Sequence, residues 1–200
     1  MKQIKAIIFD IGGVIYLGEQ KSNAYMQEKL KFDEDFWFGA VKNIWNDLCI
    51  GKIKEEDGIA EMAKNLGVSQ EKLKDLWIRC FKERFILNKP ILNIIEKLKK
   101  NYKTAVLSDQ WSIPYKILIT KELNQIFDVS VYSHEAKVRK PDLKIYNIIL
   151  EKLGLYANEC VFIDDKDYNL KPARELGIKT ILYKNNKQLL RELKKFGVEI

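Results

Sequence analysis

An apolar run that ends in an acid and two glycines is the feature that most constrains this chain. Residues 7–9 are Ile-Ile-Phe, Asp10 follows them, and Gly12 and Gly13 come soon after. The β-branched run predicts a buried strand, and the glycines predict a turn that leaves it. An acid at that point lies at the carboxyl edge of a sheet, where open α/β folds bind their ligands. Asp10 is therefore a candidate nucleophile or metal ligand, with turn capping as the alternative.

The size and charge of the chain limit its class. Its 200 residues, 46% of them hydrophobic, suit one domain or a core domain with an insertion. Lys and Arg (35) exceed Asp and Glu (28), and a net charge of +7 suits an anionic substrate or a nucleic acid. The basic residues are scattered along predicted helices or clustered near helix ends, where the helix dipole favours them. We therefore expect no nucleic-acid partner.

The spacing of the cysteines and the length of the apolar runs indicate the cellular compartment. Cys49, Cys80 and Cys160 are far apart and form no CxxC pair, so we expect buried thiols in a reducing cytoplasm rather than zinc ligands or disulfides. No apolar run approaches the roughly 18 residues that span a bilayer. Met1 and Lys2 lead into a run that Asp10 interrupts too early for a secretory segment. We expect a cytoplasmic protein without a membrane partner.

Most of the chain alternates between strand and helix patterns. The predicted strands are Lys5–Phe9, Thr104–Leu107, Val129–Tyr132, Cys160–Ile163 and Thr180–Tyr183. The predicted helices around the later strands are Ile91–Lys100, Pro114–Leu123, Leu143–Leu153, Leu170–Leu176 and Gln188–Phe196. Fully apolar strands that alternate with amphipathic helices predict an α/β fold, with a parallel sheet covered on both faces.

The interval from Tyr16 to Leu87 departs from this alternation because it contains no strand-like run. Its predicted helices are Ser22–Leu30, Phe36–Leu48, Glu55–Leu66 and Gln70–Phe85. We therefore predict a core domain made of residues 1–16 and 87–200, and a helical insertion of residues 17–86. The tryptophans of the insertion either line a substrate cleft or pack in its core, and these are Trp37, Trp45 and Trp77.

Polar residues follow the other predicted strands as well. Ser108 and Asp109 end the second strand, Lys140 lies beyond the third, and Asp164 and Asp165 end the fourth. In a parallel sheet these positions converge with Asp10 on one edge. Neighbouring carboxylates need a cation between them, and Mg²⁺ with its oxygen ligands meets that need.

Such an edge has the chemistry of a phosphoryl-transfer site. A metal ion and a lysine neutralise the phosphoryl charge, a serine orients the group, and a carboxylate attacks in line. Each residue also has an alternative interpretation by itself. Ser108 can be a turn residue, Lys140 a solvated charge before Pro141, and the Asp164–Asp165 pair a helix N-terminus.

Four segments in this order resemble the motifs of the haloacid dehalogenase-like (HAD) hydrolases. They are residues 7–14, 106–109, 139–142 and 162–169. Residues 162–182 are particularly similar to the amino-terminal phosphatase domain of soluble epoxide hydrolases and to bacterial sugar-1-phosphatases. The resemblance implies a Rossmann-like parallel sheet core with a helical cap inserted after the first motif.

The resemblance also implies roles for individual residues. Asp10 would be the nucleophile that becomes an aspartyl-phosphate, Ser108 and Lys140 would be catalytic and bind the phosphate, and Asp109 would lie beside them at the substrate. Lys140 would also keep Asp10 ionised. The implied Mg²⁺ site consists of Asp10, the Gly12 carbonyl and Asp165, with Asp164 and Asn169 in support.

One position departs from the phosphatases of the family, which carry a second Asp two residues after the nucleophile. Here that residue is Gly12, which cannot transfer a proton. General acid–base catalysis contributes roughly 10²- to 10⁴-fold, so we expect a slow enzyme, another acid, or a substrate with a good leaving group. Asp109 and Glu19 are possible substitutes, with solvation as the alternative, and we expect His134, the only histidine, at the surface.

These observations predict a Mg²⁺-dependent phosphatase for a small phosphorylated metabolite, with a sugar phosphate as one candidate. A 2-haloacid dehalogenase is an alternative, because dehalogenases of the superfamily also lack the second Asp. They need no metal, however, and typically have Ser and Asn where this chain has Asp164 and Asp165. A second alternative, which Gly12 keeps open, is a non-catalytic protein that uses the fold for binding.

Overall fold

The computed structural model describes residues 3–200, apart from the side chain of Gln20. Met1 and Lys2, which entered the prediction about a secretory segment, lie outside this range. Five strands form a parallel sheet, and their bounds are Ala6–Phe9 (β1), Lys103–Ser108 (β4), Val129–Tyr132 (β5), Cys160–Asp164 (β6) and Lys179–Leu182 (β7). Their order in the sheet is β5-β4-β1-β6-β7. The predicted α/β fold with a parallel sheet is confirmed.

The helices lie on both faces of this sheet and in the insertion. Their bounds are Ser22–Leu30 (α1), Glu34–Cys49 (α2), Glu55–Leu66 (α3), Gln70–Arg84 (α4), Lys89–Leu98 (α5), Ser112–Leu118 (α6), Lys121–Gln125 (α7), Ser133–Ala136 (α8), Leu143–Leu153 (α9), Asp167–Glu175 (α10) and Asn186–Lys195 (α11). Two short 3₁₀ helices span Glu19–Lys21 and Ala157–Glu159. Within it, no helix combines the length and apolar composition that a membrane crossing requires.

The central strand β1 shows why the sheet is buried on both faces. Ile7 and Phe9 pack in the cluster that contains residues of α5 and α11. Ile8 packs in the opposite cluster, with residues of α9 and α10. Because side chains alternate along a strand, an uninterrupted apolar run is what a doubly covered parallel strand requires.

Helices α1–α4 form the cap, which has its own apolar core. Trp37 is fully buried there, and its ring centroid lies 5.8 Å from that of Trp77. Trp111 and Ile113, which follow β4, pack in the same cluster and so attach the cap to the sheet domain. Trp37 therefore packs in the core of the insertion rather than lining a cleft, which confirms one of the two interpretations of this tryptophan.

The interval predicted to lack strands contains a short ribbon, which corrects that prediction. Tyr16–Leu17 (β2) pairs antiparallel with Ile86–Leu87 (β3) where the chain enters and leaves the cap. Two-residue strands are too short to show a period, and their pairing joins segments far apart in sequence. The domain boundaries at 16/17 and 86/87 remain predictions, and the ribbon crosses them.

The single helix predicted over Pro114–Leu123 is also wrong in extent, because the structure has two helices in this region, α6 and α7. The chain leaves helical geometry at Ile119, and the Thr120 hydroxyl accepts a hydrogen bond from the Leu123 N–H at 3.2 Å. A threonine in that role starts a new helix by satisfying one of its free N–H groups.

Candidate active site

The carboxyl ends of β1 and β6 bring three acids together. The Asp10 N–H donates to the Ile163 carbonyl at 2.9 Å, so the chain stays beside β6 after β1 ends. Asp164 is the last residue of β6, and Asp165 follows it. Each of the three acids offers an oxygen within 4.8 Å of the others'. The predicted convergence of these carboxylates is therefore present.

Lys140 lies between two of these acids. Its ammonium is 3.0 Å from Asp10 Oδ1 and 2.7 Å from Asp164 Oδ2. Only 1% of the residue is exposed, so the alternative interpretation of Lys140 as a solvated charge is wrong. A buried ammonium is stable here because two carboxylates compensate its lost hydration.

Burial and charge act in opposite directions on this cluster. Burial lowers the pKa of Lys140, but the carboxylates of Asp10 and Asp164 raise it well above 10.5. Burial raises the pKa of Asp10, and the Lys140 ammonium lowers it by a smaller amount. Lys140 thus lowers the pKa of Asp10, as expected, but burial raises that pKa by more. A further cation beside Asp10 would favour the ionised form of its carboxyl group.

Asp164 is saturated with hydrogen bonds and fully buried. Besides Lys140, it accepts from the Lys166 N–H at 2.8 Å and from Asn169 Nδ2 at 3.0 and 3.2 Å. The Tyr146 hydroxyl donates to the Asn169 carbonyl at 2.6 Å, which holds that residue in place. Asp164 is therefore built to position its neighbours, whereas the half-buried Asp165 is more accessible to a ligand.

Gly13 leaves the space that Asp165 occupies. Its φ is +72°, and a Cβ there would lie 2.3 Å from Asp165 Cγ. The site thus combines three carboxylates, two of them paired with the buried Lys140 ammonium, with a glycine that leaves space for the third. This all-oxygen, negatively charged set fits a hard divalent cation such as Mg²⁺.

Ser108 lies at the end of β4, with 1% of its surface exposed. Gln110 Nε2 donates to Ser108 Oγ at 3.0 Å, and the Gln110 N–H donates to Ser133 Oγ at 2.9 Å. Ser133 Oγ in turn donates to the Cys49 carbonyl at 2.6 Å, at the end of cap helix α2. Sequence reasoning missed Gln110 and Ser133, because no local pattern distinguishes them from ordinary turn residues.

Asp109 organises the loop that carries Lys140. Its Oδ1 accepts from the Lys140 N–H at 3.0 Å, and its Oδ2 accepts from Arg139 Nε at 3.1 Å. The side chain is 14% exposed, so the interpretation of Asp109 as a solvated residue is wrong. Arg139 also donates to Asn46 and stacks 4.7 Å from the Trp45 ring, both in α2. This arginine, whose role the sequence did not reveal, links the core to the cap.

The sequence of this chain matches the model of the haloacid dehalogenase-like hydrolases over residues 4–177. It belongs to that family. The resemblance inferred from the four motifs is therefore confirmed.

Individual relatives agree with this assignment. The chain is 29% identical over 220 residues to bifunctional epoxide hydrolase 2 of Sus scrofa, covering 98% of this chain and 40% of that protein. The chain thus spans about two fifths of the length of this relative. It is 26% identical over 202 residues to D-ribitol-5-phosphate phosphatase of Bacteroides thetaiotaomicron, covering 95% of this chain and 97% of that one.

The fold matches solved structures. A HAD family enzyme from Bacteroides thetaiotaomicron has a TM-score of 0.81 at 23% identity, over 95% of this chain and 99% of that one. A structure of that enzyme with magnesium and inorganic phosphate has a TM-score of 0.74, covering 94% of this chain and all of that one. These neighbours confirm the Rossmann-like HAD fold with its helical cap.

In this HAD hydrolase a cavity of 690 Å³ separates the cap from the sheet edge. Asp10, Ser108 and Lys140 line its core side, and Trp45 and Trp77 line its cap side. The alternative that these two tryptophans face a cleft is therefore confirmed, and Trp77 also packs in the cap core.

His134 lies away from these residues in an aromatic setting. It is half-buried, and its ring centroid is 4.9 Å from that of Tyr115. The expectation of a surface histidine was thus partly wrong, because the Tyr115 and Tyr132 rings pack near the imidazole.

Proposed function

We propose that this hydrolase is a Mg²⁺-dependent phosphatase that cleaves a small phosphate monoester through an aspartyl-phosphate on Asp10. The observation that carries the proposal is the buried cluster of Asp10, Asp164 and Lys140 beside Asp165, in which Asp10 and Lys140 line the cavity. A dianionic phosphate needs compensating charge, which a lysine ammonium on one side and a carboxylate-bound cation on the other would supply.

Each residue has a definite part in this chemistry. The Asp10 carboxylate attacks phosphorus in line, and the bond to the leaving oxygen breaks. Lys140 and Ser108 bind the phosphoryl oxygens, and Asp109 holds the loop that presents Lys140. When bound by Asp10, the Gly12 carbonyl and Asp165, Mg²⁺ neutralises charge on the phosphoryl group. Asp164, whose oxygens are already engaged, and Asn169 support that site from behind.

The relatives support the same reaction class. One of them is named as a phosphatase of a phosphorylated polyol and matches nearly its full length. The fold neighbour from Bacteroides thetaiotaomicron was crystallised with magnesium and inorganic phosphate.

The lining of the cavity favours a hydroxylated substrate. Among the described residues, Trp77 Nε1 and Gln110 Oε1 are buried without a hydrogen-bond partner, and both residues line the cavity. An unpaired donor and an unpaired acceptor are costly unless a ligand satisfies them. A sugar or polyol phosphate offers hydroxyl groups to both, and the neighbouring aromatic rings can pack on its carbon chain.

The dehalogenase alternative fits the site less well. A haloacid is itself a carboxylate, and it would approach Asp10 beside two further acids, Asp164 and Asp165, each with an oxygen within 4.8 Å of an Asp10 oxygen. Repulsion between like charges at such short range disfavours that substrate unless a cation is present.

The test is phosphate release from p-nitrophenyl phosphate and from a panel of sugar and polyol phosphates, with Mg²⁺ and with EDTA. We expect Mg²⁺-dependent turnover that Asp10→Asn abolishes and that the matched change Asp75→Asn, at an exposed position of α4, leaves intact. Halide release from 2-chloropropionate without metal would establish a dehalogenase instead. No turnover, together with no binding of BeF₃⁻, would favour a non-catalytic binding protein.

The substrate class has its own test. Trp77→Phe keeps an aromatic ring and removes the indole N–H. We expect it to raise KM for polyol phosphates several-fold, by about the 0.5–1.5 kcal/mol of one hydrogen bond, and to leave KM for a simple alkyl phosphate unchanged. Equal effects on both substrates would contradict hydroxyl recognition.

A further inference from the structure

Glu19 stands at the entrance to the cap, directly beyond β2. The preceding Gly18 has φ +100°, and a Cβ there would lie 2.1 Å from the Arg84 carbonyl oxygen. Only glycine fits that close crossing of the two cap connections. The tight turn carries Glu19 back over the sheet edge, where it lines the same cavity as Asp10.

The Glu19 carboxylate fills the space of the side chain that Gly12 lacks. A Cβ built on Gly12 would lie 1.5 Å from Glu19 Oε2 and 2.6 Å from Glu19 Cδ. Gly12 is not among the glycines with positive φ, so its backbone would accept a side chain. Glycine at position 12 therefore leaves free the space that the Glu19 carboxylate occupies.

A lysine anchors this carboxylate. Lys166 Nζ lies 2.5 Å from Glu19 Oε1, while Oε2 is the oxygen nearest Gly12. Although burial lowers the pKa of Lys166, Glu19 and Asp10 raise it above 10.5, so the ammonium stays charged. The Glu19 side chain is 28% exposed and ion-paired, which makes the interpretation of Glu19 as a solvated residue wrong.

We propose that Glu19 is the acid–base residue of this enzyme, supplying from the cap connection the carboxyl group missing at position 12. The inference rests on the proposed phosphatase function and assigns the proton transfers of that same site. It explains how Asp10 can act in a motif whose second acid is absent, and it does so with a residue from another part of the fold.

The proposed steps balance as follows. In the first, Asp10 forms a bond to phosphorus, the bond from phosphorus to the leaving oxygen breaks, and that oxygen takes the proton of Glu19. In the second, a water oxygen bonds to phosphorus as Glu19 removes one of its protons, and the bond from phosphorus to Asp10 breaks. Phosphate leaves, the Asp10 carboxylate is restored, and Glu19 again carries a proton.

The two steps depend on Glu19 to different degrees when the leaving group is p-nitrophenolate. That leaving group needs little protonation, whereas the attacking water must give up a proton. With this substrate, loss of Glu19 should therefore slow breakdown of the aspartyl-phosphate more than its formation.

The first experiment compares Glu19→Gln with the matched change Glu28→Gln, at an exposed position of α1. With Mg²⁺ and p-nitrophenyl phosphate, we expect Glu19→Gln to lower kcat by about 10²-fold or more with little change in KM. Mass spectrometry of the quenched variant should show the added phosphoryl group. Glu28→Gln should match the parent enzyme in all three measurements.

The second experiment moves the carboxylate from position 19 to position 12. Glu19→Ala creates the room that a side chain on Gly12 needs, so the double variant Gly12→Asp/Glu19→Ala should recover at least tenfold over Glu19→Ala. Gly12→Asp alone should gain nothing, because its side chain collides with Glu19. A crystal structure of the parent enzyme with AlF₄⁻ should place a Glu19 oxygen within hydrogen-bond distance of the apical oxygen opposite Asp10.

Failure of the inference differs from failure of the proposed function. If the parent enzyme turns over phosphate esters but Glu19→Gln retains kcat within about threefold, or if it loses activity without accumulating phosphoenzyme, Glu19 is not the acid–base residue. An AlF₄⁻ complex with Glu19 turned away would have the same meaning even if the variants misfold. Absence of turnover by the parent enzyme would instead overturn the phosphatase function and the inference with it.

Discussion

The Lys140 ammonium lies 2.7 Å from the carboxylate of Asp164, and both side chains are almost completely inaccessible to solvent. The same ammonium is 3.0 Å from Asp10, so one buried cation serves an acid at the end of β1 and an acid at the end of β6. These strands are neighbours in the sheet, and the pairing of their ends is what assembles the site.

Removing the Lys140 ammonium should destabilise the folded protein. We expect Lys140→Met to lower the free energy of unfolding by about 3–5 kcal/mol, because it leaves buried acids uncompensated. Urea denaturation at neutral pH without added metal measures this. Lys144→Met, at an exposed position of α9, is the matched control and should change stability little. A loss below about 1 kcal/mol in Lys140→Met would show that Asp10 and Asp164 do not depend on the pair.

Gly13 should be essential for the metal site in a way that other glycines are not. Gly13→Ala should weaken Mg²⁺ binding at least tenfold, because the new Cβ displaces Asp165. Gly67→Ala is the control: its φ of +64° is similar, but nothing lies within 4 Å of the added Cβ. Both changes should cost about 1–2 kcal/mol of backbone strain. Calorimetric titration with Mg²⁺ separates them, and equal affinities would contradict the role of Asp165.

The free energy of unfolding should fall in mild acid as His134 becomes protonated. Burial lowers the pKa of His134 from 6.5, although Glu135 opposes the shift. The unfolded chain therefore binds this proton more readily, and stability present above about pH 6.5 is lost as pH falls through the folded-state pKa. A proton NMR titration of the only imidazole should give a midpoint below 6.5.

The same effect can be isolated by mutation. The stability of His134→Asn relative to the parent protein should rise between about pH 7 and pH 5, since only the parent loses the histidine contribution. A difference that is constant with pH, or an NMR midpoint above that of a free imidazole, would contradict the prediction.

Ser133 should couple the cap to the phosphate-binding loop. Ser133→Ala leaves the Gln110 N–H and the Cys49 carbonyl without their shared partner, which should cost about 1–3 kcal/mol. Because Gln110 also donates to Ser108, KM for a phosphate ester should rise as well. Ser130→Ala removes an exposed hydrogen bond and should alter stability by no more than about 0.5 kcal/mol. Indistinguishable effects of the two changes on KM would rule out the coupling.

Sequence patterns predicted the elements whose burial is regular. The bounds of Val129–Tyr132, Ser22–Leu30, Glu55–Leu66 and Leu143–Leu153 agree with the structure residue for residue. Glu55–Leu66 and Leu143–Leu153 carry their buried apolar residues at helical spacing, so their own sequence pattern indicates their conformation. The ribbon of β2 and β3 escaped prediction because two-residue strands exist only through pairing with a distant segment.

The site residues, like the helices and strands, include some that the sequence pattern predicts and others whose roles only the structure shows. Asp10, Ser108, Lys140 and Asp165 could be selected from the sequence because each follows an apolar strand, and parallel strands present such positions on one edge. The sequence by itself therefore determined the sheet, the insertion and the identity of the charged groups at the edge. Those properties depend on neighbours along the chain.

Only the tertiary structure decided how those groups are used. Asp109 holds the Lys140 loop, Asp164 is saturated by Lys140, Lys166 and Asn169, and Glu19 occupies the space above Gly12. The contacts of Lys140 with Asp109 and Asp164 join residues 31 and 24 positions apart in sequence, so they form only when the strand ends are brought together. Distances and burial set the strength of such contacts, and both are properties of the folded molecule.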